Sequence, residues 1–117
     1  MKIGIVGAGY WGKNLIRNFS ELGALQCICE NDLSRAGELA EEYSVPHYRT
    51  VEEMLDKEPE IAVGIATPAA THFRVTQKAL EADRHVFVEK PLALSISEAE
   101  ILIRTAEQRD RIRIVGG

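Results

Sequence analysis

The chain has no apolar run approaching the roughly eighteen residues of a membrane span, and no cationic leader ahead of an apolar segment. Met1-Lys2 leads directly into a short apolar stretch, so neither a signal peptide nor a membrane anchor is expected and a cytoplasmic protein is. Cysteine and histidine are equally scarce. Cys27 and Cys29 stand two apart in one apolar run, so in a strand both face the same side, which suits small buried residues better than a mutual disulfide. His47, His72 and His85 fall in separate elements, so no metal site is expected. The 14 Lys and Arg are scattered against 18 Asp and Glu, for a net charge of −4. That balance argues against a nucleic-acid partner. No repeat, low-complexity tract or linker divides the 117 residues, a length that suits one domain around one core.

Against these absences, one segment is rich in information. Ile3-Gly-Ile-Val6 is a short strand pattern that runs into Gly7-Ala-Gly9-Tyr-Trp-Gly12 and then into an amphipathic stretch carrying Trp11, Leu15, Ile16, Phe19 and Leu22. Three glycines at this spacing each answer a separate need: Gly7 turns off the strand, Gly9 lets backbone approach a phosphate, and Gly12 lets the helix pack close to the strand. The helix N-terminus then presents amides to the anion. A second apolar run, Leu25 to Cys29, ends in Glu30, 18 residues beyond Gly12. Strand, loop, helix, strand and acid together read as a dinucleotide-binding unit, with Glu30 placed to accept from the adenosine ribose. A phosphate-binding P-loop is the competing reading, since Gly7 to Lys13 fits it, but Asn14 stands where a Ser or Thr must ligate magnesium. Lys13 is then simply a solvent-facing residue of the first helical turn.

Apolar runs alternate with helical patterns to the end of the chain. Asp32 or Ser34 can cap a helix to about Tyr43, with Leu33, Ala36, Leu39 and Ala40 inward, and Val45-Pro46 ends it. His47 to Thr50 is a weak strand and Val51 to Leu55 a short helix whose Val51, Met54 and Leu55 belong to the core. Glu60 to Ala66 reads as a buried parallel strand stopped by Thr67-Pro68, Ala69 to Ala82 as a helix burying Phe73, Val75, Ala79 and Leu80, and Arg84 to Val88 as a fifth strand. Ser95, with Glu98 completing a capping box, starts a helix to about Arg109, and Arg111 to Val115 is a sixth strand. This order predicts an α/β Rossmann fold: one domain, a doubly wound parallel sheet of about six strands with helices on both faces. In such a sheet ligands lie beyond the carboxyl ends of the strands. Four segments therefore become candidates: the glycine loop, Glu30-Asn31, Thr67-Pro68 and Glu89-Lys90-Pro91. Lys90, at the mouth of the cleft, can pass a proton to a substrate hydroxyl or carbonyl if partial burial lowers its pKa.

Gly7-Ala-Gly-Tyr-Trp-Gly12, Ile65-Ala-Thr-Pro68 with His72 four residues on, and His85-Val-Phe-Val-Glu-Lys-Pro-Leu92 make the chain resemble a known family over essentially its whole length. It resembles the N-terminal domain of the glucose-fructose oxidoreductase and inositol dehydrogenase (Gfo/Idh/MocA) family. The resemblance implies an NAD(P)-dependent oxidoreductase that transfers hydride at a secondary alcohol of a sugar, cyclitol or sugar nucleotide. It implies Lys90 as the catalytic or substrate-orienting lysine, and Thr67, Pro68, His72 and Glu89 on the nicotinamide side. With Gly7, Gly9, Tyr10, Trp11, Gly12, Glu30, Asn31, Ala66 and Pro91 these form the expected cofactor-binding set. The stretch from Gly9 to Asn14 looks most like bacterial sugar-nucleotide dehydrogenases.

A carboxylate that accepts from the ribose 2′-hydroxyl repels a 2′-phosphate, so NAD is expected over NADP. Arg35 could soften that repulsion but is expected to pair with Glu38 or to face solvent. Family members continue after the sixth strand into a second domain that carries the sugar-binding surface and the subunit interface. With nothing after Gly117, the chain alone is expected to bind cofactor without efficient turnover, its oligomeric state open. The alternative is a stand-alone NAD(H)-sensing or cofactor-binding module that acts with a partner chain. Thr67-Pro68 and Glu89-Lys90-Pro91, which a sensor does not require, favour the first reading.

Overall fold

The computed structural model describes residues 2–89 and 112–115. The expected helix from Ser95 to Arg109, together with Lys90 and Pro91, lies outside the described residues. Within them the chain forms β1 (Ile3–Val6), α1 (Tyr10–Glu21), β2 (Leu25–Cys29), α2 (Leu33–Tyr43), β3 (His47–Tyr48), α3 (Val51–Lys57), β4 (Ala62–Ile65), α4 (Ala69–Glu81), β5 (Val86–Glu89) and β6 (Ile112–Val115). The six strands make one sheet in the order β3-β2-β1-β4-β5-β6, parallel throughout. Strand order reverses at β1, which lies between β2 and β4. Every residue of β1 and of β4 is buried, as the apolar runs without alternation predict for strands covered on both faces.

The two faces carry separate cores. On one, Val6, Cys27, Cys29, Val63 and Ile65 pack with Val51 and Met54 of α3 and Val75, Ala79 and Leu80 of α4. On the other, Ile3, Ile5 and Ile28 pack with Leu15 and Ile16 of α1 and Leu39 of α2, and Phe19 meets Phe87 edge to face at 5.4 Å between ring centroids. Cys27 and Cys29 share a face, as their spacing predicts. Burial pushes both thiols up to about 12, with nearby carboxylates adding to the effect, so they are inert core residues. The register between β1 and β2 slips after Ile3, which pairs with Leu25 while Gly4 pairs with Cys27. The slip turns Leu25 to the α1 side, opposite the cysteines.

Two residues expected to face inward do not. Leu22 is 75% exposed and Leu33 54% exposed. Leu22 follows the last residue of α1 and Leu33 opens α2, so each stands at a helix end rather than over the sheet. Of the two cap candidates for α2, Asp32 performs the role, its carboxylate accepting from the Arg35 N–H at 3.2 Å. The weak strand shrinks to His47–Tyr48, while α3 runs two residues past Leu55 and is capped by the Thr50 hydroxyl.

A polar cluster closes the end of the sheet opposite the glycine loop. Arg84 is buried and donates to the carbonyls of Leu55 at 2.7 Å, Glu58 at 2.6 Å and Ile61 at 3.3 Å. These carbonyls belong to the end of α3 and the turn into β4, where backbone acceptors would otherwise lack partners. Burial pulls the Arg84 pKa down from its ordinary value. Beside it the Glu58 carboxylate accepts from the Tyr48 hydroxyl at 2.6 Å and from the Gln26 amide at 3.3 Å. That bond, with burial, pushes the Tyr48 phenol up to about 12.

Candidate functional site

The chain leaves β1 through a turn that only glycine fits. Gly7 has φ +99°, and a Cβ there would stand 2.9 Å from the Ala66 carbonyl and 3.0 Å from the Thr67 nitrogen. The loops after β1 and β4 thus lie back to back. A Cβ at Gly12 would overlap the Gly7 carbonyl, so this glycine lets the first turn of α1 rest on the loop and does not itself face a ligand. Gly9, the N-cap of α1, has open space where its Cβ would be. No acidic side chain occupies the first turn of α1, and among the described residues the Gly9 N–H has no hydrogen-bond acceptor. This geometry can receive an anion on the helix N-terminus.

That loop forms one wall of a cavity of about 750 Å³ at the carboxyl ends of the strands. Of the expected residues, Gly7, Gly9, Tyr10, Glu30, Asn31, Ala66, Thr67 and Pro68 line it. Trp11 and His72 are placed in α1 and α4 and Glu89 at the end of β5, which brings Glu89 to the same end of the sheet. A smaller groove of about 470 Å³ between α1 and α2 has Lys13, Arg17 and Glu38 among its walls. Sequence reasoning missed the far wall of the main cavity: Arg49, Thr50, Val51 and Glu52 after β3, with Thr71, Arg74 and Val75 of α4. The strand-end rule reaches these residues once β3 is counted with the other strands. The weak strand is expected to run to Thr50, whereas it ends at Tyr48 and leaves Arg49 and Thr50 beyond its carboxyl end.

Charge in the cavity is mixed. Glu30 is 9% exposed, its Oε1 accepting from the Ala8 N–H and its Oε2 from the Asp32 N–H, both at 2.8 Å. Glu52 forms ion pairs with Lys78 at 3.5 Å and Arg74 at 3.8 Å. Its own backbone amide at the start of α3, then Lys78, hold its carboxyl below the ordinary value. Arg35 lines the cavity beside Asn31 and is exposed to solvent, the second of its two expected placements; among the described residues it makes no ion pair with Glu38. The buried hydroxyl of Thr67 has no hydrogen-bond partner among the described residues. A buried polar atom without a partner is costly, and a ligand that supplies one is favoured there. An orphaned hydroxyl, a glycine cradle and an acid at the end of β2 fit a dinucleotide. No group of three metal-ligating side chains occurs among the described residues, nor any helix long and apolar enough to cross a membrane.

Comparison with known proteins agrees with this geometry. Residues 1–117 match the family described as "Oxidoreductase family, NAD-binding Rossmann fold" (GFO_IDH_MocA). The UDP-N-acetylglucosamine 3-dehydrogenase of Acidithiobacillus ferrooxidans is 31% identical over 116 residues, covering 99% of this chain and 36% of that protein. Its solved structure superposes with a TM-score of 0.85, covering 96% of this chain and 36% of the other at 32% identity. The scyllo-inositol dehydrogenase of Lactobacillus casei, solved with NAD(H) and scyllo-inositol, superposes with a TM-score of 0.89 at 27% identity, covering all of this chain and 36% of that one. A glycosyl hydrolase family 109 protein of a Shewanella species is 33% identical over 123 residues, covering 95% of this chain and 27% of that protein. The chain thus spans about a third of the length of such relatives.

Proposed function

The chain belongs to the Gfo/Idh/MocA oxidoreductase family, an NAD-binding Rossmann fold, and on that premise we propose that it is the cofactor-holding part of a dehydrogenase acting on a secondary alcohol of a sugar, cyclitol or sugar nucleotide. The observation that carries this reading is the convergence on one cavity at the strand ends of the Gly7–Gly12 loop, Glu30 and Thr67, whose hydroxyl has no partner among the described residues. The relatives support the substrate class, since one is named for a UDP-linked sugar and another was solved with a cyclitol.

The strand-end rule and the family resemblance support a division of labour. Gly9 and the start of α1 bind the pyrophosphate, and Glu30 and Asn31 meet the adenosine ribose. Ala66, Thr67, Pro68, His72 and Glu89 flank the nicotinamide side. A nicotinamide dinucleotide supplies hydride exchange at carbon, and Lys90 with Pro91, directly after Glu89, brings a proton donor to the substrate oxygen. Glu30 disfavours a 2′-phosphate, which selects NAD(H) over NADP(H). Substrate is held by chain beyond this domain, whose presence positions the reacting carbon.

Titration with NADH and NADPH tests the reading, with the emission of Trp11, the one tryptophan of the chain, as the reporter. Saturable quenching that is stronger with NADH is expected. Silence with both ligands overturns the assignment.

A further inference from the structure

We infer that Glu30, besides the ribose contact on whose proposal this inference rests, is a clamp that sets the anion-binding shape of the glycine loop. Its carboxylate joins two segments far apart in sequence. Oε1 accepts from Ala8, between Gly7 and Gly9, and Oε2 accepts from Asp32 in the turn that opens α2, each at 2.8 Å. The backbone around it is fixed as well: the Gly7 N–H donates to the Cys29 carbonyl at 2.9 Å and the Glu30 N–H to the Tyr48 carbonyl at 3.0 Å. An acid that only recognised a ribose would need neither of its two side-chain bonds.

Acceptor capacity shows how both roles coexist. An ionised carboxylate offers about four lone-pair sites. Two are filled by Ala8 and Asp32, which leaves one on each oxygen for the paired hydroxyls of a ribose. Holding the Ala8 amide fixes the Gly7–Ala8 peptide plane, directly ahead of the Ala8–Gly9 peptide, whose N–H is aimed at nothing among the described residues. Ribose recognition and pyrophosphate binding therefore share one side chain and reinforce each other through it.

The clamp has a signature that a bystander carboxylate cannot give. A negative charge near a diphosphate repels it, so removing a bystander strengthens or leaves unchanged the binding of a diphosphate ligand without ribose hydroxyls. Removing a clamp weakens it. Calorimetric titration of the full chain, wild type and Glu30→Gln, with ADP and with 2′,3′-dideoxy-ADP separates the two. The amide that replaces the carboxylate in this variant keeps one acceptor and turns a donor toward the other backbone N–H, so the clamp no longer holds the Ala8 and Asp32 amides together. Affinity for dideoxy-ADP is expected to fall about tenfold, the worth of one charge-assisted hydrogen bond, and affinity for ADP further. Dideoxy-ADP binding to Glu30→Gln as well as to wild type, or better, overturns the clamp while leaving NADH binding by the wild type, and so the dinucleotide reading, intact. Amide exchange in the ligand-free wild type gives a test that needs no variant. The Ala8 and Asp32 amides are expected to be protected well above Gly9, and exchange of Ala8 as fast as Gly9 overturns the clamp.

Discussion

Replacing Arg84 by methionine keeps an unbranched apolar stem and removes the guanidinium, which serves three backbone carbonyls from one buried position. A hydrogen bond to a charged group contributes about 1.5–3 kcal/mol, and a buried acceptor left without a partner costs about as much again per group. Simple addition over three bonds overshoots, because the Ile61 contact is long at 3.3 Å and shares its donor nitrogen with Glu58. Desolvation of the guanidinium works in the other direction, as the lowered pKa of Arg84 reflects. The two shorter bonds dominate, and the expected loss is about 3 kcal/mol, a large part of the 5–15 kcal/mol typical of a domain. In thermal unfolding followed by circular dichroism this is a drop of roughly 10 °C. Arg84→Lys, able to reach one carbonyl well, is expected to fall between the two. A loss under about 1 kcal/mol for Arg84→Met would show that burying the cation cancels what its hydrogen bonds supply, and the account of this cluster would fail.

Gly12→Ala places a methyl group against the Gly7 carbonyl and pushes α1 off the loop, so NADH affinity is expected to fall about tenfold or more, the worth of one lost phosphate contact; unchanged affinity in the fluorescence titration would contradict the packing described. Thr50→Ala removes the cap of α3 and is expected to cost about 1 kcal/mol in urea unfolding. Tyr48 holds its proton up to about 12 against an ordinary value near 10. Its raised folded pKa contributes stability that is fully present below about pH 10 and is lost as pH rises through about 12. Ultraviolet titration of the three tyrosines should therefore find a late one that disappears in Tyr48→Phe. Cys27 and Cys29, both pushed up to about 12 and buried, are expected to resist a disulfide reagent at about pH 8 until denaturant is added; rapid labelling of the native chain would show the core to be open.

Local pattern carried the framework of this fold. β1, the glycine loop, β2 with Glu30 at its end, and the apolar run of β4 are each written in consecutive residues, so their places followed from periodicity and glycine spacing. What escaped depends on partners far along the chain. Arg84 looks like the first residue of a strand, and only the fold brings it to carbonyls 23 to 29 residues earlier. The exposure of Leu22 and Leu33 depends on where each helix ends relative to the sheet, which helical periodicity does not encode. Similarly, Arg49 and Thr50 read as the end of a weak strand and Val51 as core, because where β3 ends is set by its pairing with Ile28 and Cys29 rather than by its own residues.

The place of β1 in the sheet also governs when the molecule can first hold a ligand. β1 is synthesised before either neighbour, and β2 pairs with it across a short segment, whereas the pairing of Ile3 with Ala62 closes a loop of roughly sixty residues. At about 5–20 residues per second a nascent chain spends several seconds with one side of β1 unpaired. The turn at Gly7 rests against Ala66 and Thr67, which arrive only with β4. Competence for the dinucleotide is therefore a late and single event in the life of the chain, reached when β4 docks beside a strand that has been waiting for it.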